Sequence, residues 1–174
     1  ATLRREGVPA SFFVTGKFVT AYPDLVAQLT AVGPVGNHSW DHPQLPTLTD
    51  AQVRAELDST RAAIASATRQ VPAPLFRFPF GASDSRTRAI VAAAGYVAVG
   101  WTVDSLGWKG TSGGQTAAAV VARVVGAAQP GEIVLMHLGA NPDDNTTLDA
   151  DALGQIITQL RAKGYTFVTL DQLR

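Results

Sequence analysis

The chain has only three histidines among its 174 residues, and all lie at or just beyond the ends of short apolar runs. His38 and His42 stand four apart in NHSWDH. If that segment coils into one turn of helix, both imidazoles come to one side and can reach a single metal ion. Otherwise they are polar loop residues bonded to nearby backbone. His137 ends EIVLMH. Its imidazole titrates near neutrality, which makes it a candidate general acid, with a satisfied core or surface histidine as the plainer alternative. All three positions fall at the ends of apolar runs, where parallel α/β proteins keep their reactive groups.

Two further charged residues interrupt apolar runs. Arg77 lies in RFPFG. Pointing inward, its guanidinium needs an anionic partner to offset desolvation; strand alternation allows it to point outward equally well, opposite Phe76 and Phe78. Asp104, in WTVDSLGW, closes the strongest β-favouring run and is a candidate partner for Arg77, a metal-site neighbour or a plain turn cap. Trp101 and Trp108 flank it, and either could offer a face to a sugar. Asp143 and Asp144 in NPDDNTT read as a solvated loop. KGTSGG lacks the spacing of a phosphate-binding loop, and no GxSxG elbow supplies a serine nucleophile.

These residues need elements to hold them. β-favouring runs occur at Ala10 to Val14, Pro34 to Gly36, Leu75 to Phe78, Val97 to Val103, Ile133 to Met136 and Thr166 to Leu170. Helical periodicity separates most of them. The clearest helix spans about Asp50 to Thr68. Thr49 and Gln52 form a capping box, Leu48 is placed to staple against Val53, and Val53, Leu57, Thr60 and Ile64 make one apolar stripe. Further helices are expected at Pro23 to Ala31, Asp84 to Ala94, Thr116 to Ala127 and Leu148 to Lys163. Gly33, Gly95 and Gly164 stand ready to terminate three of them. The alternation predicts a mostly parallel α/β domain, open or barrel-shaped. Residues 1–7, ATLRREG, read as the end of a helix. A βα unit should begin with a strand, so a preceding segment on the order of two dozen residues is expected.

Bulk composition narrows the classes. Lys plus Arg and Asp plus Glu both number 14, a formal net charge of zero. Nothing in that balance steers the chain towards nucleic acid or an anionic membrane. There is no cysteine, hence no disulfide framework, thiolate ligand or thiol nucleophile. No apolar run reaches the length of a membrane span.

In order, SFFVTG (Ser11 to Gly16), HSWDH (His38 to His42), RFPFG (Arg77 to Gly81), VDSLGW (Val103 to Trp108) and LMH (Leu135 to His137) resemble the NodB-homology polysaccharide deacetylases, carbohydrate esterase family 4. The resemblance covers essentially the whole chain. It implies a distorted (β/α)7-type barrel lacking its first strand in this chain, with residues 1–174 forming a single, N-terminally incomplete catalytic domain. The implied activity is metal-dependent hydrolysis of acetyl groups from a polysaccharide: an N-acetylglucosamine polymer such as peptidoglycan or chitin, or acetylated xylan. The implied partner is that polysaccharide, and the implied location is secreted or cell-surface, in a bacterium.

By the same resemblance, His38 and His42 are ligands of zinc, or of cobalt or nickel. Arg77 orients the catalytic base. Phe80 supplies a backbone N–H to the oxyanion. Trp108 and Leu135 wall the acetyl pocket, and His137 protonates the leaving group. Two departures stand out. The TFDDG-like first motif, source of the base aspartate and the third metal ligand, is absent. Gly107 replaces an aspartate that pairs with the acidic histidine, leaving Asp104 as a candidate substitute. These departures motivate an alternative: a non-catalytic carbohydrate-binding domain of the pseudoenzyme kind.

Overall fold

The computed structural model describes residues 2–172, which form two compact units. The first contains residues 2–8 and Trp101–Val168; the second contains Pro9–Gly100 and Thr169–Gln172.

The second unit is built on a four-stranded parallel sheet: β1 (Phe12–Val14), β2 (Val35–Asn37), β3 (Leu75–Phe76) and β4 (Val97–Ala98), in that spatial order. Register pairs Phe12 with Val35, Asn37 with Phe76 and Leu75 with Val97. Parallel neighbours need crossover connections, and the helices supply them. Those of this unit are α2 (Gly16–Ala21), α3 (Pro23–Leu29), α4 (Asp50–Thr68) and α5 (Ser85–Ala93). In α4, Thr49 accepts from the Gln52 N–H while the Gln52 side chain accepts from the Thr49 N–H, so the expected capping box is present. Its stripe of Val53, Leu57, Thr60 and Ile64 is buried, and the core it enters includes Leu45, Phe76, Phe78, Val91 and Tyr96. Gly36 sits beneath Leu75: an added Cβ would lie 2.7 Å from the Leu75 carbonyl oxygen, so only glycine allows β2 this approach.

The first unit pairs β5 (Val103–Asp104) with β6 (Val134–Leu135), again in parallel. It also holds α1 (Thr2–Glu6), α6 (Ala117–Gly126) and α7 (Leu148–Ala162). Val120, Val121, Val124 and Val125 of α6 pack with Leu148, Ala152, Ile156 and Leu160 of α7. The four-residue spacing on α7 keeps its apolar groups on one stripe.

Parallel α/β architecture is what the sequence predicts, and the helical tail at the start is α1. Several strands differ in extent. The Val97 to Val103 run is two strands, because the carbonyls of Val99 and Gly100 accept from the Arg77 side chain instead of continuing a ladder. Ile133 to Met136 pairs only at Val134–Leu135, since the Ile133 N–H goes to the Thr102 hydroxyl. Thr166 to Leu170 forms no strand: the Thr169 N–H turns to the Gln172 side chain and the Leu170 N–H to Ser11 Oγ. Helix α2 has no counterpart in the sequence reading; Thr15 caps it by accepting from the Phe18 N–H.

Two substitutions test this account. Leu57→Ala, at a position with no solvent exposure, is expected to lower unfolding free energy by about 2–5 kcal/mol, read by urea denaturation. Thr49→Ala removes only the cap and is expected to cost about 1 kcal/mol.

Candidate functional site

In the second unit, the end of β2 is fixed by a buried amide. Asn37 Nδ2 donates to the Leu57 carbonyl and to the Tyr96 hydroxyl, both at 2.8 Å, while its Oδ1 accepts from the Ser39 N–H at 2.9 Å. The chain then bends sharply: Ser39 and His42 both have φ of 67°. The segment is therefore not a helical turn. The bend nevertheless brings the imidazoles together, with ring centroids 4.7 Å apart and planes inclined at 74°. His38 Nδ1 lies 2.7 Å from the Arg77 carbonyl. A carbonyl can only accept, so in neutral His38 the proton sits on Nδ1 and the lone pair on Nε2. The His42 ring rests edge-on against Phe80, 4.5 Å between centroids. Phe80 itself has φ of 58° and is largely exposed.

Arg77 is buried. Its guanidinium donates to the carbonyls of Val99 and Gly100 and lies over the Phe13 ring, 4.3 Å from the centroid. Desolvation by burial lowers its pKa to about 10. Two backbone carbonyls and an aromatic face thus solvate a cation on the inward side of the strand, an arrangement that leaves the Arg77 backbone carbonyl aimed at His38.

In the first unit, Asp104 closes β5 and acts as a turn cap: Oδ1 accepts from the Leu106 N–H at 2.9 Å and Oδ2 from the Trp108 indole at 3.4 Å. Leu135 lies in β6. His137 follows that strand and meets a carboxylate from an unexpected place. Asp149, in the first turn of α7, accepts from the His137 backbone N–H at 2.6 Å with Oδ2, which also stands 3.5 Å from His137 Nδ1. The pairing favours the tautomer with the proton on Nδ1, turning the Nε2 lone pair away from Asp149. Asp149 is buried and the imidazole is 40% exposed. A Cβ at Gly107 would collide with the Asp149 carboxylate, so the missing side chain at 107 is what makes room for the carboxylate from α7. Trp108 stands next to this pair, its ring centroid 6.3 Å from that of His137.

The sequence reading overlooked Asp149 because an acidic residue in a first helical turn is ordinarily a dipole partner. It also passed over the clamp between two loops. Asn141 Nδ2 donates to the Trp108 carbonyl, and its Oδ1 accepts from the N–H groups of Asp143 and Asp144. Asp144 accepts from both the hydroxyl and N–H of Thr146, from the Ser112 N–H and from the Thr111 hydroxyl. These bonds hold its carboxyl well below the usual range.

The metal expected from the resemblance is a correction. Among the described residues, no group of three or more His, Cys, Asp or Glu is placed to hold a metal ion. His38 and His42 come together as two imidazoles, whereas a catalytic zinc site takes three protein ligands plus water. Residues 2–172 therefore do not fit zinc, cobalt or nickel.

Fold and polar groups define a parallel α/β scaffold with titratable side chains at its strand ends. Residues 1–99 match the family model described as polysaccharide deacetylase. The peptidoglycan-N-acetylglucosamine deacetylase PgdA of Listeria monocytogenes is 35% identical over 173 residues, 99% of this chain and 34% of that protein. A chitooligosaccharide deacetylase of Bradyrhizobium is 34% identical over 180 residues, covering 98% of this chain and 80% of its own. Among solved structures, a carbohydrate esterase family 4 pseudoenzyme from Bacillus anthracis aligns with a TM-score of 0.87 at 29% identity, over 99% of this chain and 57% of its own. A mutant of that pseudoenzyme is described as having restored enzymatic activity. This chain belongs to the polysaccharide deacetylase family, and its fold is the α/β fold of the family's NodB-homology members. It spans 62%, 22% and 34% of three of the curated relatives it matches.

Asp149→Asn is expected to weaken the bond to the His137 N–H and to loosen the imidazole, costing about 1–3 kcal/mol. Denaturation and the His137 ring resonances would check it. Gly107→Ala should perturb the same resonances by displacing Asp149. A second expectation concerns pH. The folded value of Asp144 lies below its unfolded value, so its contribution is complete above the unfolded value and is lost only as pH falls through the folded one. The Ser112 amide resonance, whose N–H donates to Asp144, should therefore hold its neutral-pH position through about pH 3.9, the ordinary aspartate value, and Asp144→Asn should shift it there.

Proposed function

We propose that this chain recognises an acetylated polysaccharide, such as peptidoglycan, chitin or acetylated xylan, without a self-sufficient hydrolytic centre in residues 2–172. One observation carries this reading: two imidazoles meet at His38 and His42, but among the described residues no set of three metal-donor side chains accompanies them. The relatives named for peptidoglycan and chitooligosaccharide deacetylation support the substrate class. The family 4 pseudoenzyme supports a family member whose hydrolytic centre is deficient.

In this reading the side chains keep recognition roles. Trp108 and Leu135 border the acetyl methyl. Within the second unit, the backbone N–H of Phe80 donates to a glycan oxygen, and Arg77 stiffens the strand end that carries His38. His137 and Asp104 meet sugar hydroxyls. In this reading the protein works outside the cytoplasm, secreted or at a bacterial surface, where acetylated wall or plant polymers lie.

A second reading is hydrolysis, favoured by the His137–Asp149 pair. A histidine oriented by a buried carboxylate is equipped to give a proton to a departing amine or alkoxide. That chemistry still needs a water-activating group, which residues 2–172 do not assemble.

The test is calorimetric titration of the chain with N-acetylglucosamine oligomers and acetylated xylo-oligosaccharides, with acetate measured in parallel and with divalent cation added. Saturable binding and no acetate above the buffer control is the expected result. Acetate release by this chain would overturn the binding-only reading, and the absence of binding to any oligomer would overturn glycan recognition altogether.

A further inference from the structure

The bend that carries His38 and His42 holds its backbone in an unfavourable form. Ser39 and His42 both sit at φ of 67°, a left-handed conformation that a residue with a Cβ keeps only where its surroundings over-determine it. The N–H groups of residues 38–42 show where that determination comes from. His38 donates to the Val14 carbonyl at 3.0 Å, Ser39 to Asn37 Oδ1 at 2.9 Å and His42 to Ser39 Oγ at 3.1 Å. The other N–H groups, those of Trp40 and Asp41, both go to one atom: Oε2 of Glu56, at 2.7 and 3.3 Å.

Glu56 reaches the bend from α4. Its neighbour Leu57 is buried in the α4 stripe and gives its carbonyl to Asn37 Nδ2, where the bend begins. Two consecutive residues of one helix thus grip the entrance and the middle of the bend, and the packed stripe keeps that helix in place. A carboxylate oxygen only accepts, and its hydrogen bonds are stronger than those of a neutral acceptor. The bend's own carbonyls are engaged elsewhere: those of Ser39 and Trp40 accept from the N–H groups of Gly16 and Lys17 at 3.0 and 2.9 Å. The Trp40 ring lies against Gly16, in the space a Cβ would need. By contrast, the Lys17–Asp41 ion pair is exposed at both ends and holds the bend weakly.

We propose that Glu56 is the positioning residue of the His38–His42 pair. By accepting the Trp40 and Asp41 N–H groups it fixes the backbone between the two histidines, and with it the 4.7 Å separation and 74° inclination of their rings. The assignment rests on the geometry of the bend and stands whether or not the chain binds a glycan.

The experiment compares the parent chain with Glu56→Ala and Glu56→Gln by NMR at one fixed neutral pH. It reads the ring resonances of His38 and His42 and the hydrogen exchange of the backbone amides, with urea denaturation alongside. Glutamine keeps a carbonyl oxygen at the same reach; alanine removes it. Glu56→Ala should displace the ring resonances of both histidines and speed exchange at Trp40 and Asp41 about tenfold. Glu56→Gln should return the rings close to their parent positions, with exchange at an intermediate rate. A purely structural role predicts a lower urea midpoint with the ring resonances of the folded protein unmoved, and that result would overturn the proposal. Equal displacement in both variants would overturn hydrogen-bond acceptance as its cause. If Glu56→Ala does not fold, Glu56→Gln decides: faster exchange confined to Trp40 and Asp41 supports the assignment, and exchange unchanged from the parent overturns it.

Discussion

The buried side chain of Asn37 is the constraint on which the second unit turns. An amide with no solvent exposure has to satisfy its donors and acceptor internally. Asn37 does so with a carbonyl of α4, a hydroxyl in the core and the N–H two residues on. These bonds tie the end of β2 to the middle of α4 and start the bend that carries His38 and His42. Tyr96 also receives the Arg61 Nε–H at 3.0 Å, so the same network reaches from strand end to helix surface. An apolar side chain at 37 would leave the Leu57 carbonyl and the Ser39 N–H to find other partners in a dry environment.

The first unit solves a similar problem with charge. Strand β6 ends on a backbone N–H that needs an acceptor, and the start of α7 provides a carboxylate stabilised by the helix's own N-terminal field. The apolar stripe of α7 fixes where that carboxylate arrives, because Leu148, Ala152, Ile156 and Leu160 set the rotation of the helix against α6. Packing far from His137 thereby decides the surroundings of its ring. His137 thus has a buried carboxylate beside it, whereas among the described residues no group of three metal-donor side chains forms.

Sequence made the long-period features legible. The capping box at Thr49 and Gln52, the stripe along α4 and the parallel α/β class all follow from spacing and local chemistry, as does the family resemblance from five short motifs in order. What it hid were contacts made across large separations. Arg77 takes the carbonyls of residues 22 and 23 positions away and so interrupts a run that alone looks like one strand. Ser11 captures the Leu170 N–H from 159 positions away. Asp149 looked like helix chemistry because nothing local reveals a histidine 12 residues upstream. The metal expectation failed for a related reason: a pair of histidines four apart announces proximity, but a coordination shell is a three-dimensional set whose remaining members need not be near in sequence.

Gly107 and Asp149 also bear on how substitutions combine. Each accommodates the other: a side chain at 107 would occupy the volume of the Asp149 carboxylate, and a small residue at 149 would leave that volume open. The two positions are thus coupled through one shared volume, and substitutions at both should not act as the sum of their separate effects.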